Sequence, residues 1–141
     1  MARRIRRAGP RQSGCPPLGR IGHDADMAGQ RPSISTHVLD LAEGTPAHGV
    51  GVALFILADD GAPELVSELE TDADGRIVDL LEGEELREGE YQLAFDVGSY
   101  ADDPDAFFQS VAVAFRVTDT RRSYHVPLLL SPFGMSTYRG S

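Results

Sequence analysis

The sequence predicts an all-β protein, a sandwich or barrel of about seven or eight strands with at most one short helix. Three observations carry this. Short segments of seven to nine residues alternate between apolar and polar side chains. Clusters of Gly, Pro and Asp separate them at regular intervals. Only one stretch, Glu82–Gly89, has the composition for a helical turn or two.

In chain order, residues 1–31 come first and read as a basic, disordered tail. They hold seven Arg and two Asp, are rich in Gly and Pro, and show neither a strand nor a helix period. Paired arginines at the start resemble an export signal, but no apolar segment follows them. Met27 reads as the true start of translation, and His23 is given no role. Residues 32–141 form the folded domain.

Ser33–Leu41 alternates, with Ile34, Thr36 and Val38 on one face and Ser35, His37 and Leu39 on the other. Ala42–Gly49 is a loop in which His48 is solvated. Val50–Ala58 is apolar on both faces and suits a central strand. Asp59-Asp60-Gly61 turns the chain into a weaker, charged strand, Glu64–Glu70. Thr71–Arg76 resembles a calcium loop in its spacing of Asp72, Asp74 and Gly75, but Leu81 stands where a bidentate Glu is required. The alternative is a tight Asp74-Gly75 turn that projects Arg76 at the head of a short strand, Ile77–Leu81. Glu90–Val97 turns Tyr91, Leu93, Phe95 and Val97 inward. Gly98–Gln109 is a solvated acidic loop, Val111–Val117 a strand, and Thr118–Ser123 a hairpin loop. Tyr124 onward is an apolar strand bearing His125, with a turn at Ser131–Gly134.

Composition excludes several functions. The single cysteine, Cys15, allows no intrachain disulfide and argues against a thiolate metal site. All thirteen basic residues are arginine, which removes lysine Schiff-base chemistry. The tail carries +5 and residues 32–141 carry −14, for a total of −9. So acidic a domain is a poor partner for nucleic acid or an anionic membrane. No apolar run approaches the roughly 18 residues that span a bilayer. Absent such signals, the cytoplasm is the expected location. No metal cluster, phosphate loop or nucleophile motif is present, and no cofactor is expected.

Three stretches carry the chemistry: Ser35-Thr36-His37-Val38-Leu39-Asp40, Thr71-x-x-Asp74-Gly75-Arg76, and Tyr124-His125-Val126-Pro127 through to the terminal Tyr138-Arg139-Gly140-Ser141. Together they resemble the signatures of the 5-hydroxyisourate hydrolases, the transthyretin-related enzymes of urate breakdown, from about Ser33 to the end of the chain. The terminal tetrapeptide is the specific part, because it separates these enzymes from the transthyretin carriers. The resemblance implies a transthyretin-like two-sheet β-sandwich and a homotetramer with its sites in a channel between dimers. It implies ring opening of 5-hydroxyisourate to 2-oxo-4-hydroxy-4-carboxy-5-ureidoimidazoline. On that reading the catalytic set is His37, Arg76, His125 and the Ser141 carboxylate, and substrate is bound by His37, Arg76, Tyr138 and Arg139.

These residue types suit the task. A neutral imidazole accepts a proton from water, a guanidinium holds ring oxygens and stabilises oxyanion charge, and a phenol orients the substrate. Which histidine is the base stays open at this stage. The competing reading is a non-enzymatic carrier, whose channel would be largely apolar. Three positions depart from the family pattern: Met135 for an aromatic residue, Ser123 for a histidine and Asp72 for an asparagine.

Overall fold

The structure is a computed structural model that describes residues 31–140. The basic tail, with Cys15, His23 and Met27, lies outside the described residues, as does Ser141. Arg31 is described, and its guanidinium donates to the Gly83 carbonyl at 2.8 Å.

The described residues form two sheets. One contains β4 (Pro63–Glu70), β3 (Gly51–Leu57), β6 (Gly89–Asp96) and β7 (Val111–Val117), in that order and all antiparallel. The other is organised around β1 (Ile34–Asp40). One edge of β1 takes β2 (Thr45–Pro46) and β5 (Arg76–Ile77), both antiparallel. The other edge takes β8 (Tyr124–His125) and β9 (Leu128–Ser131), both parallel, and β10 (Gly134–Thr137) pairs with β9 beyond. Three of these ten strands are two-residue pairings, which leaves seven of four residues or more.

The alternation in the sequence is the alternation of burial. Ile34 and Val38 of β1 face Val52 and Leu54 of β3 and Leu93 and Phe95 of β6 across the core, each exposed by 1% or less. Each such side chain contributes about 1.5–3 kcal/mol by leaving water. β3 takes the central place its apolar run suggests, between β4 and β6, with Val52, Leu54 and Ile56 buried and Ala53, Phe55 and Leu57 half-buried. A register shift between Leu54 and Phe55 marks a bulge against β4. Tyr91 is buried, stacks on Phe115 at 5.8 Å between centroids, and donates its hydroxyl to the Arg87 carbonyl.

Four local expectations need correction. Glu82–Gly89 is not helical. The Asp79 carboxylate accepts from the Leu81 and Gly83 amides, and Glu82 and Gly83 take φ of 52° and 85°, so the backbone closes turns instead. The one helix among the described residues is α1 (Val97–Ala101), capped at its start by Asp96 accepting from the Ser99 amide. Val97 is buried as the strand alternation requires, but as the first residue of that helix. The strand expected over Ile77–Leu81 ends at Ile77. Thr118–Ser123 is no hairpin, since it carries the chain from β7 in one sheet to β8 in the other. Pro127, with no N–H to donate, divides the last apolar segment into β8 and β9.

The Thr71–Arg76 turn shows why its residues are needed. The buried Thr71 hydroxyl donates to the Ala47 carbonyl at 2.6 Å and accepts from the Val50 amide at 2.9 Å. Asp72 Oδ1 accepts from the Asp74 and Arg76 amides at 2.9 and 3.0 Å, a job its carboxylate does as well as an amide oxygen. Gly75 has φ of 73°, and a methyl group there would lie 2.5 Å from the Val38 carbonyl oxygen. Gly75→Ala is therefore expected to destabilise the fold by about 1–3 kcal/mol. Urea denaturation reads this as a lower midpoint at an unchanged slope.

Candidate active site

The outward face of β1 gathers the chemistry. Ser35 and His37 are two residues apart, so both leave the core side, and both are half-buried. On one edge of β1, the antiparallel register sets Arg76 of β5 directly opposite His37. On the other edge, the parallel register sets His125 of β8 beside Ser35. Facing partners in a sheet share a face. Residues 37, 76 and 125 are far apart in the chain, yet they form one row across three adjacent strands.

His125 is held on several sides. Its Nδ1 lies 2.8 Å from the Ser35 hydroxyl oxygen. Its carbonyl accepts from the Gly140 amide at 2.8 Å, an antiparallel bridge that brings the chain terminus alongside β8. A methyl group on Gly140 would lie 2.5 Å from His125 Cδ2. Only glycine lets the terminal segment close on this ring. Gly140→Ala is accordingly expected to displace the imidazole and lower kcat/KM by about 10²-fold. Steady-state kinetics alongside thermal melting should show the activity loss with Tm little changed.

Burial first, and then the charges of Arg76 and His37, hold the His125 pKa below the ordinary histidine value of 6.5. Arg76 itself is exposed. Among the described residues the one ion pair within 4.0 Å joins Arg121 to Asp119, so the Arg76 guanidinium carries no carboxylate partner there. His37 Nε2 is enclosed without a hydrogen-bond partner among the described residues.

Tyr138 and Arg139 stand differently. Tyr138 is 56% exposed. Because Gly140 shares the face of His125, Arg139 alternates to the other side, where its guanidinium lies 5.0 Å from the centroid of the Tyr124 ring. Within one chain the structure brings together His37, Arg76 and His125, while Arg139 stands over Tyr124 and shares only a cavity wall with His125. A cavity of about 240 Å³ is lined by His125, Tyr138, Arg139, Tyr124 and Phe115 among others, and by neither His37 nor Arg76. A larger one of about 460 Å³, with Tyr100, Phe107, Phe108 and Phe133 in its walls, holds none of the site residues. Of the three, Arg76 alone is exposed, while His37 and His125 are half-buried.

The departures sit at the margins. The Ser123 hydroxyl accepts from the Ser33 amide at 3.0 Å, and Met135 packs partly against the core opposite Leu130. The sequence alone singles out neither Ser35 nor Gly140 as a site residue. The two-residue spacing of Ser35 from His37 was the available signal for the first.

The HIUase/Transthyretin family model matches residues 34–140. The chain belongs to that family. This member is similar to 5-hydroxyisourate hydrolase 2 of Rhizobium meliloti, with 45% identity over 116 residues covering 77% of this chain and 95% of the relative. Among solved structures it is similar to the 5-hydroxyisourate hydrolase of Klebsiella pneumoniae, at 35% identity and a TM-score of 0.67, covering 77% of this chain and 99% of that one. It is also similar to transthyretin from Sparus aurata, at 28% identity and a TM-score of 0.72, covering 78% and 97%. The expected transthyretin-like two-sheet sandwich is the observed fold. With near full-length relatives that carry hydrolase names, this member of the family is an enzyme.

Proposed function

We propose that this chain hydrolyses 5-hydroxyisourate to 2-oxo-4-hydroxy-4-carboxy-5-ureidoimidazoline, a step of urate degradation. The observation that carries the reading is the convergence of His37, Arg76 and His125 on one face of β1. Water adds to the ring amide carbonyl, the C–N bond breaks, a carboxylate forms and the released nitrogen takes up a proton. His37 and His125 share activation of the water and protonation of the leaving nitrogen. Arg76 binds the ring oxygens and stabilises the charge that grows on the attacked carbonyl. The substrate is already reactive, so positioning and proton transfer are sufficient without a covalent intermediate.

With Arg76 exposed, a second wall is needed to enclose a substrate beside it. A homotetramer supplies one by facing this sheet with another copy, and Tyr138 and Arg139 then contact substrate from a neighbouring copy. The Ser141 carboxylate orients a histidine or an arginine. The cytoplasm is the proposed location, and no helix among the described residues is long and apolar enough to cross a membrane.

The rival is a transthyretin-like carrier. An apolar ligand has no use for a guanidinium and two imidazoles on one face. The deciding experiment follows the ultraviolet absorbance of freshly generated 5-hydroxyisourate with and without the protein. Accelerated decay supports the hydrolase, and decay at the spontaneous rate sinks it.

A depressed His125 pKa gives a pH prediction. The acid limb of kcat/KM should have its midpoint below 6.5, because the base stays neutral further into acid than a free histidine does. The same shift makes the folded state take up protons less readily than the unfolded chain. Stability from this group is therefore unaffected above 6.5, falls as pH drops from there to the folded-state value, and is level below it. A pH–rate profile, run beside melts at each pH, checks both.

A further inference from the structure

Among the described residues, Ser35 is the one side chain that hydrogen-bonds an imidazole nitrogen in this site. Its hydroxyl oxygen lies 2.8 Å from His125 Nδ1, in a register that fixes the two residues side by side. The contact leaves His125 one other nitrogen, Nε2, which makes no hydrogen bond among the described residues. His37 Nε2 is shut in without a partner among those residues. Of the two histidines, His125 lines the cavity of about 240 Å³ and His37 does not. Gly140 packs against Cδ2 of the same ring and limits its rotation away from Ser35.

Which nitrogen of a neutral imidazole carries the proton is set by the hydrogen bond made at the other. A serine hydroxyl can serve either role. If it donated to Nδ1, Nε2 would bear a hydrogen and have no lone pair for the attacking water. If it accepts from Nδ1–H, the lone pair sits on Nε2.

We propose that Ser35 is a positioning residue which accepts a hydrogen bond from His125 Nδ1–H, and so makes Nε2 of His125 the base that deprotonates the attacking water. The proposal rests on the hydrolase reading above and resolves its open question of which histidine is the base. The proton leaves water for Nε2 as the O–C bond forms. The departing ring nitrogen then takes up a proton from the same histidine pair as the C–N bond breaks, so protons balance without another reagent.

The test uses ¹⁵N-labelled full-length protein. Long-range ¹H–¹⁵N spectra of His125, taken at a pH where the ring is neutral, should show the Nδ1–H tautomer in the natural protein. Ser35→Ala should shift it towards Nε2–H, and Ser35→Thr, which keeps the hydroxyl, should preserve it. Kinetically, Ser35→Ala should lower kcat about tenfold, the worth of one ordinary hydrogen bond, with KM within about twofold. Ser35→Thr should recover most of the loss. A dominant Nε2–H tautomer in the natural protein overturns the proposal, as does a Ser35→Ala variant with unchanged tautomer and kcat. The first spectrum needs neither variant nor substrate. A failure of the natural protein to accelerate 5-hydroxyisourate decay is thus seen separately, and overturns the hydrolase reading beneath the proposal.

Discussion

His125→Ala is expected to lower kcat/KM by about 10²–10⁴-fold, the usual contribution of a positioned general base. The expectation comes from the environment of the ring. Burial and two neighbouring cationic or titratable groups keep it neutral near pH 7, the form in which it can accept a proton. The ring is only half-buried and no core residue depends on it, so the variant should fold with a near-natural Tm. His37→Ala should also cost well beyond tenfold, through loss of a group directly opposite Arg76. Their double variant should be no worse than the more damaged single variant by more than a small factor, because groups serving one proton transfer are not additive. Stopped-flow absorbance on fresh substrate reads all three. Turnover within tenfold of natural in both single variants would remove the imidazoles from the mechanism.

Much of this site was legible in the chain because a β-strand has so short a period. Alternation alone put Ser35 and His37 on one face of β1 and set His125 apart from Tyr124 and Val126. The Asp74-Gly75 turn could likewise be read as the device that projects Arg76, and the positive φ of Gly75 with its close approach to Val38 bears that out. Pairing between distant strands was less legible. Nothing local says that β5 and β8 flank the same strand, and only the motif resemblance suggested it. Arg139 shows how a motif can conceal geometry. Four consecutive residues read as one functional unit, yet the bridge at Gly140 sends neighbours to opposite faces, and Arg139 goes to the Tyr124 ring. The misplaced helix has a similar origin. Glu82–Gly89 has helical composition, but the Asp79 carboxylate captures the amides that a helix would need, while five residues after Asp96 coil with no apolar period to announce them. Side chain to backbone bonds decide both cases, and they leave little trace in a hydropathy pattern.

Arg76→Gln is expected to lower kcat/KM by about 10²–10³-fold, the loss that follows removal of one oxyanion-stabilising group. Part should appear in KM and part in kcat, because the guanidinium binds ring oxygens in the ground state and meets more charge in the transition state. Arg76→Lys should recover little, since an ammonium cannot present two parallel donors to a planar ring. The substitution makes a second, independent demand. The Arg76 charge is one of the causes that depress the His125 pKa, second only to burial. Removing it should raise that pKa towards 6.5, and the His125 imidazole resonances of Arg76→Gln should titrate at higher pH than in the natural protein. A purely structural arginine, exposed at a turn and remote from His125, would leave that titration where it was. An unmoved His125 curve would therefore separate β5 from β8 electrostatically and break the row of residues on which the hydrolase reading stands, whatever the variant did to turnover.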